Sequence, residues 1–162
     1  MKKLLNLSEL SDNSKRLHSQ GKKIIATSGC FDIVHAGHVT YLAEAKSRGD
    51  VLVVMLNSDS SVKELKGHER PIVPENERAT VISALESVDY VCIFNERTPC
   101  SSYEKFMPDI VIKGGDYRGK HIPEMDTVAK YGGKVEYVSM VAGCSSTNII
   151  EKIKEMSRSG IL

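Results

Sequence analysis

Five short runs dense in valine and isoleucine, at 23–27, 51–56, 88–94, 109–112 and 134–138, constrain this chain more than any other feature of its sequence. Most lack a strict apolar/polar alternation and are bounded by polar or glycine-containing residues, the pattern of strands covered on both faces. Helix-like segments at 36–47, 60–65, 75–86, 101–106 and 123–131 lie between them. Strands alternating with helices predict an α/β, three-layer sandwich built on a five-stranded parallel sheet. Two flanking helices complete the reading. Leu4, Leu7, Leu10 and Leu17 stripe one at about 6–20, and Ile149, Ile150, Ile153 and Met156 stripe the other, with a start signal at Asn148 or the Ser/Thr run before it and Glu151 beyond. A chain of 162 residues, 41% apolar, has the size of one domain, expected over 1–162 with its core at about 23–156.

Charge narrows the partners. Lysine plus arginine (22) nearly balances aspartate plus glutamate (21), so no overall field attracts nucleic acid or an anionic membrane. No apolar run approaches the roughly 18 residues of a membrane span. The chain therefore reads as soluble and cytoplasmic. Cys30, Cys92, Cys100 and Cys144 form no CxxC pair and read as free thiols of a reducing compartment, and no metal-ligand spacing is present.

In a parallel sheet, ligands sit beyond the carboxyl ends of the strands. The first such loop reads Ser28-Gly29-Cys30-Phe31-Asp32-Ile33-Val34-His35-Ala36-Gly37-His38. Gly29 lets backbone approach a ligand, and a helix opening near Ala36 offers free amides and a positive dipole end to an anion. His35 and His38, three apart, share one helix face, and Gly37 leaves the opening turn bare. Donors fixed there suit the charge that builds when an oxygen attacks an α-phosphate and pyrophosphate leaves. A zinc site fits less well, because HAGH lacks the acid of HExxH.

These residues resemble the HxGH signature of the cytidylyltransferase-like nucleotidyltransferases. Further segments look like those of that family's heptose 1-phosphate adenylyltransferases: Asn57-Ser58-Asp59, Ser61-Val62-Lys63-x-Leu65-Lys66-Gly67 with Arg70-Pro71-Ile72, Lys113-Gly114-Gly115-Asp116-Tyr117, and Gly143-Cys144-Ser145-Ser146-Thr147. The resemblance spans about residues 24 to 155. It implies a Rossmann-like fold, transfer of AMP from ATP with Mg²⁺ to a sugar 1-phosphate, a homodimer, and a form without an attached kinase domain.

By the same resemblance His35, His38 and Lys66 are catalytic. Gly29, Cys30, Phe31, Gly37, Lys113, Gly115, Asp116, Ser145, Ser146 and Thr147 join the histidines around the nucleotide. Asp32, Asn57, Asp59, Lys63, Lys66 and Arg70 receive the second substrate. Phe31 also reads as a core aromatic, Asp59 and Asp116 as helix caps, and the Ser/Thr run as an N-cap. One stretch departs from the glycerol 3-phosphate cytidylyltransferases, which carry an arginine where this chain has Met140-Val141-Ala142; the outer phosphates then fall to Lys113 or Arg118. The rival readings are a nucleotidyltransferase using CTP or another acceptor (glycerol 3-phosphate, ethanolamine phosphate, FMN), and a regulatory module that binds nucleotide without turnover. An aminoacyl-tRNA synthetase fragment would need a KMSKS-like loop and a basic surface, and neither is present.

Overall fold

The structure, a computed structural model, describes residues 3–139, 141 and 143–161. Met1, Lys2, Met140, Ala142 and Leu162 lie outside it, so only Val141 of the Met140-Val141-Ala142 stretch is described. Among the described residues five strands, β1 (Ile24–Gly29), β2 (Val51–Asn57), β3 (Tyr90–Phe94), β4 (Ile110–Gly114) and β5 (Lys134–Val138), form one parallel sheet in the order β3-β2-β1-β4-β5. The helices are α1 (Leu7–Ser19), α2 (Ala36–Lys46), α3 (Asp59–Lys66), α4 (Glu75–Ala84), α5 (Cys100–Phe106), α6 (Pro123–Ala129) and α7 (Ser146–Arg158).

Successive strand residues point to opposite faces, and the core divides accordingly. Ile25, Leu52, Val54 and Leu56 pack with Tyr41 and Leu42 of α2 and Ala79 and Ile82 of α4. Ile24, Ala26, Val53 and Met55 pack with Leu10 and Leu17 of α1, Tyr103 and Phe106 of α5 and Val128 of α6. The predicted three layers are present. The sheet order reverses direction at β1, with β2 and β3 on one side and β4 and β5 on the other. A crevice therefore opens at the carboxyl ends of β1 and β4.

Three elements differ from the sequence reading. β5 buries only Val138, because it is an edge strand with no neighbour beyond it. β3 starts at Tyr90 rather than 88: Asp89 instead accepts from the Leu52 amide and pairs with Lys46. The stripe of α7 is only partly covered: Ile149, Ile150 and Met156 are half-buried, Ile153 is 49% exposed, and no residue of the helix is fully buried. Both sheet faces are already taken by the other helices, which leaves α7 on the rim. Its N-cap is Ser145, whose Oγ accepts from the Asn148 amide, and Ser146 Oγ donates to the Ile33 carbonyl at 3.0 Å.

The buried face of α4 carries Arg78 beside Ala79 and Ile82. Arg78 is 1% exposed, and its guanidinium joins three separate segments. Nη1 donates to the carbonyls of Cys30 (2.6 Å) and Asn57 (2.9 Å), Nε to Val73 (2.8 Å), and Nη2 to Asp59 Oδ1 (2.7 Å). The ends of β1 and β2 and the approach to α4 are thus held at one point. Arg78→Met would strand these acceptors in a dry interior at a cost of roughly 3 kcal/mol or more. Urea unfolding should show a lower midpoint with an unchanged slope; a midpoint equal to that of the parent chain would refute the role.

Candidate active site

After β1 the chain turns through Cys30 and Phe31, the latter in the left-handed region at φ 45°. The Phe31 ring folds back over Gly29, where an added Cβ would meet it at 3.0 Å, and lies 5.2 Å from the His38 ring. Phe31 thus serves as core and as site floor. His35 is the N-cap of α2 but makes no side-chain capping bond; the His38 amide donates to the His35 carbonyl at 2.9 Å, and the amides of Ala36 and Gly37 remain for a ligand.

The His35 and His38 rings stack with centroids 3.9 Å apart and planes inclined at 27°. The Nδ1 atoms of both are buried without a hydrogen-bond partner among the described residues. Burial, and then the neighbouring His35, pull the His38 pKa down to about 4. At neutral pH His38 is therefore an uncharged N–H donor. Gly37 is required between the two rings: a Cβ there would stand 2.8 Å from Cys144 Cβ and 3.0 Å from the His35 ring. That close approach seats the segment before α7 against the start of α2.

A cleft of about 540 Å³ crosses the carboxyl ends of β1 to β4, and a smaller cavity of about 210 Å³ adjoins it. Of the residues expected from the sequence, Gly29, Cys30, Phe31, Asp32, His38, Asn57, Lys66, Arg70, Lys113, Ser146 and Thr147 line the cleft. His35, Gly37 and Asp116 line the adjoining cavity. Burial raises the Cys30 thiol pKa against the pull of Lys66, leaving a neutral thiol in the wall.

Others are placed differently. Lys63 is exposed on α3 and lines neither space, and neither do Gly115, in a 3-10 turn, and Ser145, the N-cap of α7. Asp59 is drawn away by Arg78. Asp32 is engaged from below: Arg70 Nε donates to it at 2.6 Å, and the amides of Ile72 and Val73 donate at 2.9 and 2.8 Å. Although burial opposes it, these amides and Arg70 hold the Asp32 carboxyl below its usual range. Asp32 shapes the loop that carries Arg70. Lys113, expected at a phosphate, is paired with Glu124 at 2.5 Å. Arg118 lines neither space.

Residues 26–152 match the cytidylyltransferase-like family. The chain belongs to that family. Among its cytidylyltransferase-like relatives, the bifunctional protein HldE of Geobacter metallireducens is 50% identical over 151 residues, which is 93% of this chain and 31% of that protein. HldE of Geotalea uraniireducens is 49% identical over 152 residues, 94% and 31%. The chain thus spans about a third of the length of these curated relatives. The crystal structure of a lipopolysaccharide core biosynthesis protein from Thermoplasma volcanium superposes with a TM-score of 0.61 at 32% identity, covering 75% of this chain and 98% of that one.

Three residues of this cytidylyltransferase-like site escaped the sequence reading. Arg97 follows β3 in a loop position that could have been flagged. Glu124, just after Pro123 at the start of α6, looks like an ordinary first-turn acid. Arg78 reads as a surface charge unless its spacing to Ala79 and Ile82 is noticed.

Gly37→Ala should abolish most turnover and lower stability by roughly 1–3 kcal/mol through overpacking, despite alanine's helix propensity; normal kinetics would refute the contact. His38 takes up its proton near pH 4 in the fold and near 6.5 when unfolded. Its neutral state therefore contributes stability that is fully present above pH 6.5 and lost as the pH falls toward 4. His38→Asn should flatten the decline of the urea midpoint between pH 6.5 and 4.5, and parallel declines in both proteins would show that His38 is not its source.

Proposed function

We propose that this chain transfers AMP from ATP to D-glycero-β-D-manno-heptose 1-phosphate, giving ADP-heptose and pyrophosphate. The observation that carries the reading is the stacked His35–His38 pair, with His38 uncharged, at the opening of α2, facing a cleft with surplus positive charge. Kinship with HldE proteins, and with a protein of lipopolysaccharide core biosynthesis, favours a sugar acceptor.

In the step itself an oxygen of the acceptor phosphate attacks the α-phosphorus, the bond to the bridging oxygen breaks, and pyrophosphate carries away the electron pair. No covalent enzyme intermediate is needed. Negative charge spreads over the α-phosphate oxygens, where the amides opening α2 and the imidazole N–H groups donate without reorganising. Lys66, a point charge on a flexible stem at the end of α3, follows the phosphates as they separate. Thr147 lies on the facing wall, beside Ser146, whose hydroxyl proton is held by the Ile33 carbonyl.

Mg²⁺ belongs to the nucleotide in this reading. Among the described residues there is no group of three acidic, histidine or cysteine side chains able to hold a metal ion. Asp32 and Glu124 are already paired, which leaves Asp116 as the carboxylate at the cavity able to meet a water of the MgATP complex. A homodimer and a cytoplasmic location are part of the same proposal. The partly exposed stripe of α7, with Ile153 outermost, offers a surface for the first, and no described helix is long and apolar enough to cross a membrane.

Pyrophosphate release should be measured with each of ATP, CTP, GTP and UTP against heptose 1-phosphate, glycerol 3-phosphate and ethanolamine phosphate. ATP with heptose 1-phosphate should dominate; faster turnover of CTP with glycerol 3-phosphate would transfer the assignment to a cytidylyltransferase. His38→Ala should lower turnover by a factor on the order of 10²–10³ while ATP affinity holds, since the donor acts on charge that appears only in the transition state. Parallel collapse of both quantities would exclude that role.

A further inference from the structure

Four long cationic side chains line the cleft: Lys66, Arg70, Arg97 and Lys113. Two are neutralised, Arg70 by Asp32 at 2.6 Å and Lys113 by Glu124 at 2.5 Å. Lys66 and Arg97 meet no carboxylate among the described residues, and they are the charges left for phosphate groups. The two neutralised pairs are built differently. Asp32 is saturated by Arg70 and two backbone amides, so that pair presents nothing further.

The Lys113–Glu124 pair is not saturated. Lys113 and Glu124 are 9% and 4% exposed, and both contribute to the cleft wall. Lys113 Nζ donates to Glu124 Oε1 and, at 3.1 Å, to Ser28 Oγ. An ammonium has three donors, so one remains, with the Tyr117 ring 5.6 Å away. Glu124 Oε2 has no hydrogen-bond partner among the described residues. The wall thus offers one donor and one acceptor side by side with their charges cancelled. A sugar hydroxyl satisfies both, donating to Oε2 and accepting from Nζ. A second anionic group meets a carboxylate instead, and must part a buried ion pair to reach the ammonium.

We infer that the Lys113–Glu124 pair receives acceptor hydroxyls, and that Glu124 restricts the acceptor to monophosphates of neutral polyols, turning away those with a second anionic group. This rests on the transferase reading above for the reaction. It adds a selectivity to the same cleft. Without Glu124, Lys113 becomes a third unpaired cation and the cleft becomes an anion receptor.

Calorimetry on the full chain, with Mg²⁺ and a non-hydrolysable ATP analogue bound, tests this with heptose 1-phosphate and glucose 1,6-bisphosphate as probes. The parent chain should prefer the monophosphate. Glu124→Gln should weaken the monophosphate about tenfold, as expected for loss of a charge-assisted hydrogen bond, and strengthen the bisphosphate by a similar factor. Affinity for the ATP analogue should stay within about twofold, which a merely structural role would not spare. A preference ratio unchanged in folded Glu124→Gln, or an equal loss of ATP-analogue affinity, would overturn the inference. Should that variant not fold, Glu124→Asp keeps the charge and withdraws it by one methylene. It should weaken the monophosphate without admitting the bisphosphate, and unchanged monophosphate affinity would be equally fatal. A parent chain that shows the binding preference but releases no pyrophosphate would remove the proposed reaction and leave this selectivity standing; turnover that is indifferent to Glu124 would do the reverse.

Discussion

A buried guanidinium holds the working end of this molecule together. The loops after β1 and β2 and the strap before α4 have no ladder of their own to pair with, and their carbonyls converge on Arg78. Arginine suits the task because its planar fork offers five donors in fixed directions. Leucine at that position would pack well and leave the loop ends unjoined. The Cys30 carbonyl it grips belongs to the turn that places Phe31 under His38, so the distance from this clasp to the chemistry is one residue.

Charge in the cleft is partitioned with the same economy. Asp32 spends both oxygens on the 70–73 strap, and Glu124 cancels Lys113 at the floor. His38 is kept uncharged by its surroundings. The result is a space with modest positive surplus, lined mostly by neutral donors. Such a site can hold anionic groups reversibly rather than trap them.

Much of this was legible from the sequence. The valine and isoleucine runs mark strands because a strand covered on both faces is mostly apolar, and they located all five within about two residues. The HAGH segment stood out as a glycine between two histidines just after a strand, and His38 lines the cleft while His35 and Gly37 line the cavity beside it. What could not be read is which charges cancel. Lys113 looks like a free phosphate ligand until β4 and α6 bring Glu124 against it, and no local periodicity reports a pairing across eleven positions. Asp59 similarly appears open until α4 supplies Arg78. For α7, amphipathicity revealed that one face is apolar but carried no information on what would cover it.

That rim position of α7 has a thermodynamic corollary. An element whose apolar side chains are at most half-buried, tied down through Ser146 at its first turn, can lift from the domain while exposing less apolar surface than the helices packed on the sheet. Ser146 and Thr147 ride on it, so part of the cleft wall belongs to this weakly anchored helix. Filling of the cleft would then be accompanied by an ordering penalty, and its emptying would need only a local peeling of the roof, with both halves of the hydrophobic interior left undisturbed.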